Sequence, residues 1–316
     1  MNHQGGIRAD TPGALDQGVE MAAHAETLGS RLRRCQPGRT VGGGGTSVDT
    51  EHGRVGVTSA ERPAPLTRVR PADVAAAVLV VGDPARVDEA AGLLDGARRV
   101  ASAREYVTCT GSLAGTRLTV ASHGVGSAGA AVCFEELARA GARVIVRAGT
   151  CGALQPGIGD GDLVIATGAV RDEGTTPRLL PLGYPALADA DVVAALGQAA
   201  RRELPGAVHR GVVATTDTFY PSAVLGPAWR VWHDAGVLAI EMELAALLVV
   251  SALHGIRAGG ILTVDGNLLT ASQDMRDYDP HREVVSTAKA AMLEVALRAL
   301  AALTRSPARV AAGPQR

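Results

Sequence analysis

A chain of 316 residues, 47% hydrophobic with 39 glycines and a formal net charge of −1, carries enough apolar side chain for a sizeable core. The near-zero charge and scattered basic residues leave no electrostatic basis for binding nucleic acid or an anionic lipid surface, and no apolar run reaches membrane-spanning length. Small-molecule chemistry is the expectation. Lys289 is the only lysine, a bias that a GC-rich genome produces as readily as anion binding does. Cys35, Cys109, Cys133 and Cys151 form no CxxC pair and have no histidines at metal spacing. No metal site is therefore expected, and with no basic-then-apolar leader the expected compartment is the reducing cytoplasm.

Residues 1–70 are rich in glycine, proline and charge, with only a short helical pattern over 17–32, and read as a disordered N-terminal extension. From Asp73 the texture changes. Strand patterns over 77–81, 117–122, 143–148, 162–170, 211–215 and 257–264 alternate with helical patterns over 84–94, 128–140, 189–203, 241–254 and 281–303. That alternation predicts an α/β fold, a three-layer α/β/α sandwich around a central mixed β-sheet, over 71–304. Residues 305–316, with Pro307 and Pro314, read as a flexible tail.

Two arginines stand just past strand-like runs. Arg147-Ala148-Gly149-Thr150-Cys151-Gly152 follows Val144-Ile145-Val146, and Gly82-Asp83-Pro84-Ala85-Arg86 follows Ala77 to Val81. Glycines admit close backbone approach, a guanidinium is a rigid fork of donors, and strand ends in α/β sheets are where ligand crevices form. An oxyanion fits such a place, although each arginine alone is equally compatible with a surface ion pair. Gly124-Val125-Gly126-Ser127-Ala128-Gly129 matches the dinucleotide GxGxxG pattern, but the next strand carries Arg147 where that fingerprint needs an acidic residue. The loop is instead read as backbone for a sugar or phosphate, or as tight strand-to-helix packing.

Taken in order, Gly82-Asp83-Pro84-x-Arg86, Arg104-Glu105-Tyr106, Gly124-Val125-Gly126, Arg147-x-Gly149-Thr150-x-Gly152, Asp217-Thr218-Phe219-Tyr220-Pro221 and Glu241-Met242-Glu243 resemble the hexameric nucleoside phosphorylases. That family includes bacterial uridine phosphorylase and the trimer-of-dimers purine nucleoside phosphorylases, and the resemblance covers residues 65–304. Glu241 to Ala245 together with Gly259 to Gly266 is similar to the purine enzymes of apicomplexan parasites.

The resemblance implies phosphorolysis of a nucleoside to free base and ribose 1-phosphate, with phosphate as co-substrate and no cofactor. It places phosphate on Arg86, Arg147, Thr150 and the backbone of Gly82, with Arg104 supplied by a neighbouring subunit, so that dimers assembled as a hexamer are expected. Glu243 and Met242 are implied for ribose, with Glu241 as a second candidate; acidic residues at a helix start would give the same pattern. Asp265, at the end of the apolar run Gly260 to Val264, is implied as the general acid at purine N7, against a plain Asp-Gly turn. Phe219, Tyr220 and Gly152 are expected around the base.

Departures from the family bear on the substrate. Uridine phosphorylases carry a glutamine and an arginine where this chain has Ala223 and Leu225, and an arginine where it has Asp265-Gly266-Asn267, so purine nucleosides are favoured. Leu66 stands where many relatives have a histidine that reaches a neighbour's 5′-hydroxyl, which suggests 5′-deoxy or 5′-alkylthio substrates unless His52 substitutes. The alternatives are a uridine phosphorylase, a phosphate-independent nucleosidase of the 5′-methylthioadenosine type, and a non-catalytic nucleoside sensor.

Overall fold

The computed structural model describes residues 62–203, 207–220, 222, 224–270 and 278–305. The expected helix over 17–32, His52, Ala223 and the tail beyond Arg305 lie outside the described residues.

The core strand β1 (Ala77–Val81) is buried at every position, as a strand covered on both faces must be. Asp83 then caps α1 (Pro84–Ala91), accepting from the Ala85 N–H at 2.9 Å, with Pro84 in the first turn where a missing N–H costs nothing. A meander follows: β2 (Asp95–Ala103), β3 (Tyr106–Leu113) and β4 (Thr116–Ser122) pair antiparallel, and β4 returns beside β1 in parallel. Helix α2 (Ser127–Arg139) leads to β5 (Val144–Ala153), and β6 (Leu163–Asp172), β7 (Ala186–Leu187) and α3 (Ala190–Glu203) come next. The chain closes with β8 (Val208–Thr216), α4 (Trp229–Asp234), β9 (Ala239–Glu241), α5 (Leu244–Leu253), β10 (Arg257–Asn267) and α6 (Glu283–Arg305).

The strands form one mixed sheet in the order β10-β6-β8-β9-β5-β1-β4-β3-β2, with β7 beside β6. Since β10 also pairs with β5, the strands β5, β10, β6, β8 and β9 close into a small barrel from which β1, β4, β3 and β2 extend. Helices cover both faces. Phe134 and Leu137 of α2 pack with α5, apolar except for Ser251, on one side, and Val87 of α1, Leu196 of α3 and Leu297 of α6 pack on the other. The expected three layers are therefore present. Helix α5 approaches the sheet closely because β10 presents Gly260, where a Cβ would stand 2.7 Å from Leu244 Cδ1.

Differences from the expected elements have physical reasons. Strand β2 is mostly exposed and its register with β3 shifts twice, so it lacks the apolar alternation that marks a strand in sequence. Strand β5 runs through Ala153 instead of stopping at 148, which puts Thr150, Cys151 and Gly152 on the strand. Glu241 ends β9 and lies outside the helix expected from 241, which starts at Leu244. The segment 62–70, assigned by composition to the extension, packs on the body: Thr67 and Val69 are buried, and Glu136 of α2 accepts from the Thr67 N–H and hydroxyl, both at 2.7 Å. Among the described residues no helix is long and apolar enough to cross a membrane.

Candidate active site

The carboxyl ends of β1, β5, β9 and β10 surround a cavity of about 1000 Å³, the location at which open α/β sheets bind ligands. Gly82, Arg86, Arg147, Thr150, Gly152, Phe219, Glu241, Met242, Glu243 and Asp265 all line it. Sequence positions spanning most of the chain thus meet in one place.

Arg147 is the buried hub. Its Nε donates to Glu241 Oε2 at 3.1 Å, its Nη2 donates to Glu243 Oε2, and its Nη1 lies 3.3 Å from His123 Nε2. Burial opposes its charge, yet the two carboxylates outweigh that and raise its pKa, so it stays a cation. His123 is driven far below the ordinary histidine range by burial and then by the charges of Arg147 and Arg86. A neutral ring fits its contacts, with Nδ1–H donating to the Gly124 carbonyl at 2.8 Å and Nε2 accepting from Arg147.

Glu241 borders the cavity, but its side chain is fully buried and its oxygens are already occupied. Besides Arg147 it accepts from the Thr215 hydroxyl, from the Glu243 N–H at 2.9 Å and from the Leu244 N–H at 2.9 Å. Its carboxylate thus binds the first donors of α5 and holds Arg147. Glu243 differs. One oxygen accepts from the Gly126 N–H at 2.6 Å and the other from Arg147, and burial raises its pKa while Arg147 opposes the rise. Gly126, with φ of 93°, and Ser127, whose hydroxyl donates to the Met242 carbonyl at 2.8 Å, fix the Glu241–Glu243 turn from across the cavity. The glycine loop therefore serves an acidic turn of the same chain.

Arg86 faces the cavity and its guanidinium makes no hydrogen bond to another described residue; burial lowers its pKa, with Asp83 opposing. It also feels Arg147 and Asp265. Asp265 is 4% exposed, and burial raises its pKa against hydrogen bonds from Tyr278 and Thr150 and the charge of Arg86. Thr150, expected at phosphate, lines the cavity together with Asp265. Gly152 is required by the wall behind it, since a Cβ there would stand 2.3 Å from Leu268 Cδ1.

Arg104 and Tyr220 do not line this cavity. Arg104 is exposed in the β2–β3 turn with φ of 55°, an uncommon conformation for a non-glycine residue, and does not line the site. Tyr220 is 73% exposed and only meets the edge of Phe219, 5.1 Å between ring centroids. Tyr278, absent from the sequence reading, lines the cavity instead, edge-on to Phe219 at 5.8 Å. Trp229 and Leu225 extend the apolar wall. Among the described residues no group of three or more His, Cys, Asp or Glu side chains could hold a metal ion.

Residues 76–301 match the model of the Phosphorylase superfamily. The chain belongs to this superfamily. Within it, the chain is 42% identical over 211 residues to the guanosine phosphorylase of Halorubrum lacusprofundi, covering 67% of this chain and 86% of the relative. It is 40% identical over 227 residues to the purine nucleoside phosphorylase of Plasmodium falciparum, covering 72% and 91%, and 36% identical over 234 residues to the uridine phosphorylase of Escherichia coli, covering 70% and 91%. The solved structure of Toxoplasma gondii purine nucleoside phosphorylase in complex with immucillin-H superposes with a TM-score of 0.73 at 36% identity, covering 77% of this chain and 97% of that one. The superfamily match spans every element from β1 to the greater part of α6.

Proposed function

We propose that this phosphorylase-superfamily protein cleaves nucleosides with inorganic phosphate, releasing free base and ribose 1-phosphate, and that it prefers purine nucleosides. The observation that carries the reading is Arg86, a cavity-facing guanidinium with no hydrogen bond to another described residue, beside Arg147 and in the same cavity as Glu243 and Asp265. A hydrolase using water has no need of that fork, whereas a phosphate dianion does.

In this reading Arg86, Arg147, Thr150 and the Gly82 backbone hold phosphate against the anomeric carbon, replacing a bimolecular encounter by a fixed geometry. Glu243 accepts from the ribose hydroxyls, with Met242 against the sugar, and these bonds strengthen as positive charge develops on the ring. A phosphate oxygen forms the new bond to C1′ as the C1′–N9 bond breaks and its electrons pass into the base. Asp265, whose pKa burial raises, gives its proton to N7, and the proton lost by phosphate restores it. Phe219 and Tyr278 present ring edges along the base side.

Purine preference rests on what the wall lacks. Leu225 lines the cavity where uridine phosphorylases carry a polar reader of the uracil amide edge, and Asp265 offers a proton suited to N7. The guanosine and purine nucleoside phosphorylases among the relatives support this choice, although uridine phosphorylases share the same scaffold. Arg104 is assigned to a second subunit's phosphate site, because it is exposed and its positive φ holds the turn outward. The experiment is to incubate the purified protein with guanosine and phosphate and quantify both products. One ribose 1-phosphate per guanine supports the reading, and free ribose in its place rejects it.

A further inference from the structure

Asp265 has two oxygens and, as an acid, one proton, so a general acid at this position is useful only if that proton sits on the oxygen facing the base. The Tyr278 hydroxyl lies 2.6 Å from Asp265 Oδ2 and donates to it. We propose that Tyr278 is a positioning residue: by occupying Oδ2 with a donated hydrogen bond, it confines the Asp265 proton to Oδ1, the oxygen left for the departing base. The inference rests on the reading of Asp265 as general acid and deepens it.

The surroundings make the arrangement one-directional. The half-buried Tyr278 hydroxyl has no second acceptor among the described residues, so a proton on Oδ2 would displace the one hydrogen bond it donates within the protein. Burial and the adjacent carboxylate push the phenol above its usual range, which keeps it a donor throughout the working pH range. The segment bearing Tyr278 is anchored independently. Arg282 donates to the Asp265 carbonyl at 2.8 Å, to the Asp279 carbonyl at 3.0 Å and to the Asp160 carboxylate, and Lys289 donates to the Pro280 carbonyl at 3.0 Å. The other groups bearing on Asp265 are Thr150, the Arg86 guanidinium, and the buried Cys151, held as a neutral thiol by burial.

The test is Tyr278→Phe in the full chain, which keeps the ring against Phe219 and removes only the hydroxyl. Expected is a fall in kcat of about tenfold on guanosine or inosine, as for loss of one charge-assisted hydrogen bond, with KM for the nucleoside unchanged. The alkaline limb of the kcat profile moves to higher pH, because the hydroxyl no longer stabilises the Asp265 carboxylate. An N7-methylated purine nucleoside, whose cationic base leaves without a proton, retains its wild-type rate. Tyr278→Ala, which also removes the ring, raises KM in addition.

Wild-type kcat and an unmoved limb in Tyr278→Phe overturn the proposal, as does an equal loss on the N7-methylated nucleoside, which marks a structural role. Wild-type protein that releases no base with phosphate overturns the reading beneath it, and that is seen before any variant is compared.

Discussion

The Arg147 guanidinium donates to the Glu243 carboxylate, whose other oxygen accepts from the Gly126 N–H at 2.6 Å, so the groups assigned to phosphate and to ribose hold one another. Both side chains are at most 5% exposed. Desolvation makes such a pair a modest net stabiliser, and removing Glu243 leaves the buried Arg147 charge with Glu241 as its one remaining carboxylate.

Glu243→Ala is therefore expected to destabilise the fold by about 1.5–3 kcal/mol and to lower kcat/KM for ribonucleosides by roughly 10²-fold or more, since charge-assisted bonds to the sugar are lost as well. Urea denaturation and steady-state kinetics on the same preparation check both. Full stability in the variant would show that the Arg147 charge finds another partner.

Asp265→Asn separates activity from stability. Activity is expected to fall by about 10²–10⁴ in kcat, the usual contribution of a general acid. Stability moves the other way. Burial raises the Asp265 pKa, so at pH values between the ordinary carboxylate range and the raised value the folded chain keeps a proton that the unfolded chain has lost. Its favourable contribution is complete below the unfolded pKa and is lost as pH rises through the folded one. The asparagine variant is expected to melt at a higher temperature than wild type in alkaline buffer, with the gap narrowing in acid. A gap that widens in acid would contradict the sign.

The expected core of the fold and the actual site were legible to different degrees. Strands β1, β5 and β10 and helices α2, α5 and α6 announce themselves because they are long and buried, so apolar pattern and structure coincide. The antiparallel pair β2–β3 does not, because its outer strand is exposed and irregular in register. Arg86, Glu243 and Asp265 stand out in sequence as polar residues closing apolar runs. Glu241 carries the same signal, yet it serves the start of α5, since nothing in the residue pattern distinguishes a carboxylate that binds backbone from one that binds ligand. Tyr278 carries no local signal at all. The chain after β10 brings it back to Asp265, 13 residues upstream.

Gly260→Ala tests the close packing of α5 on β10. The added Cβ meets Leu244 Cδ1 at 2.7 Å and Cδ2 at 3.2 Å in a filled core, so a loss of roughly 1–3 kcal/mol is expected. Thermal denaturation measures it, and an unchanged melting temperature would mean that Leu244 shifts freely.

Glu136→Ala tests the anchor of residues 66–67. The carboxylate accepts from the Leu66 N–H at 3.0 Å and from the Thr67 N–H and hydroxyl at 2.7 Å each, all against α2. Its removal leaves buried donors unpaired, with an expected cost of about 1–3 kcal/mol. Amide hydrogen exchange at Leu66 and Thr67 is expected to accelerate more than exchange in β1; equal protection in variant and wild type would contradict the anchoring role.

The most direct test of the account is base release from guanosine, inosine, 5′-methylthioadenosine and uridine, each with and without inorganic phosphate. Release is expected to require phosphate and to be faster for a purine nucleoside than for uridine. Release independent of phosphate would contradict the role given to Arg86 and Arg147, and faster turnover of uridine would contradict the reading of the cavity wall at Leu225 and Asp265.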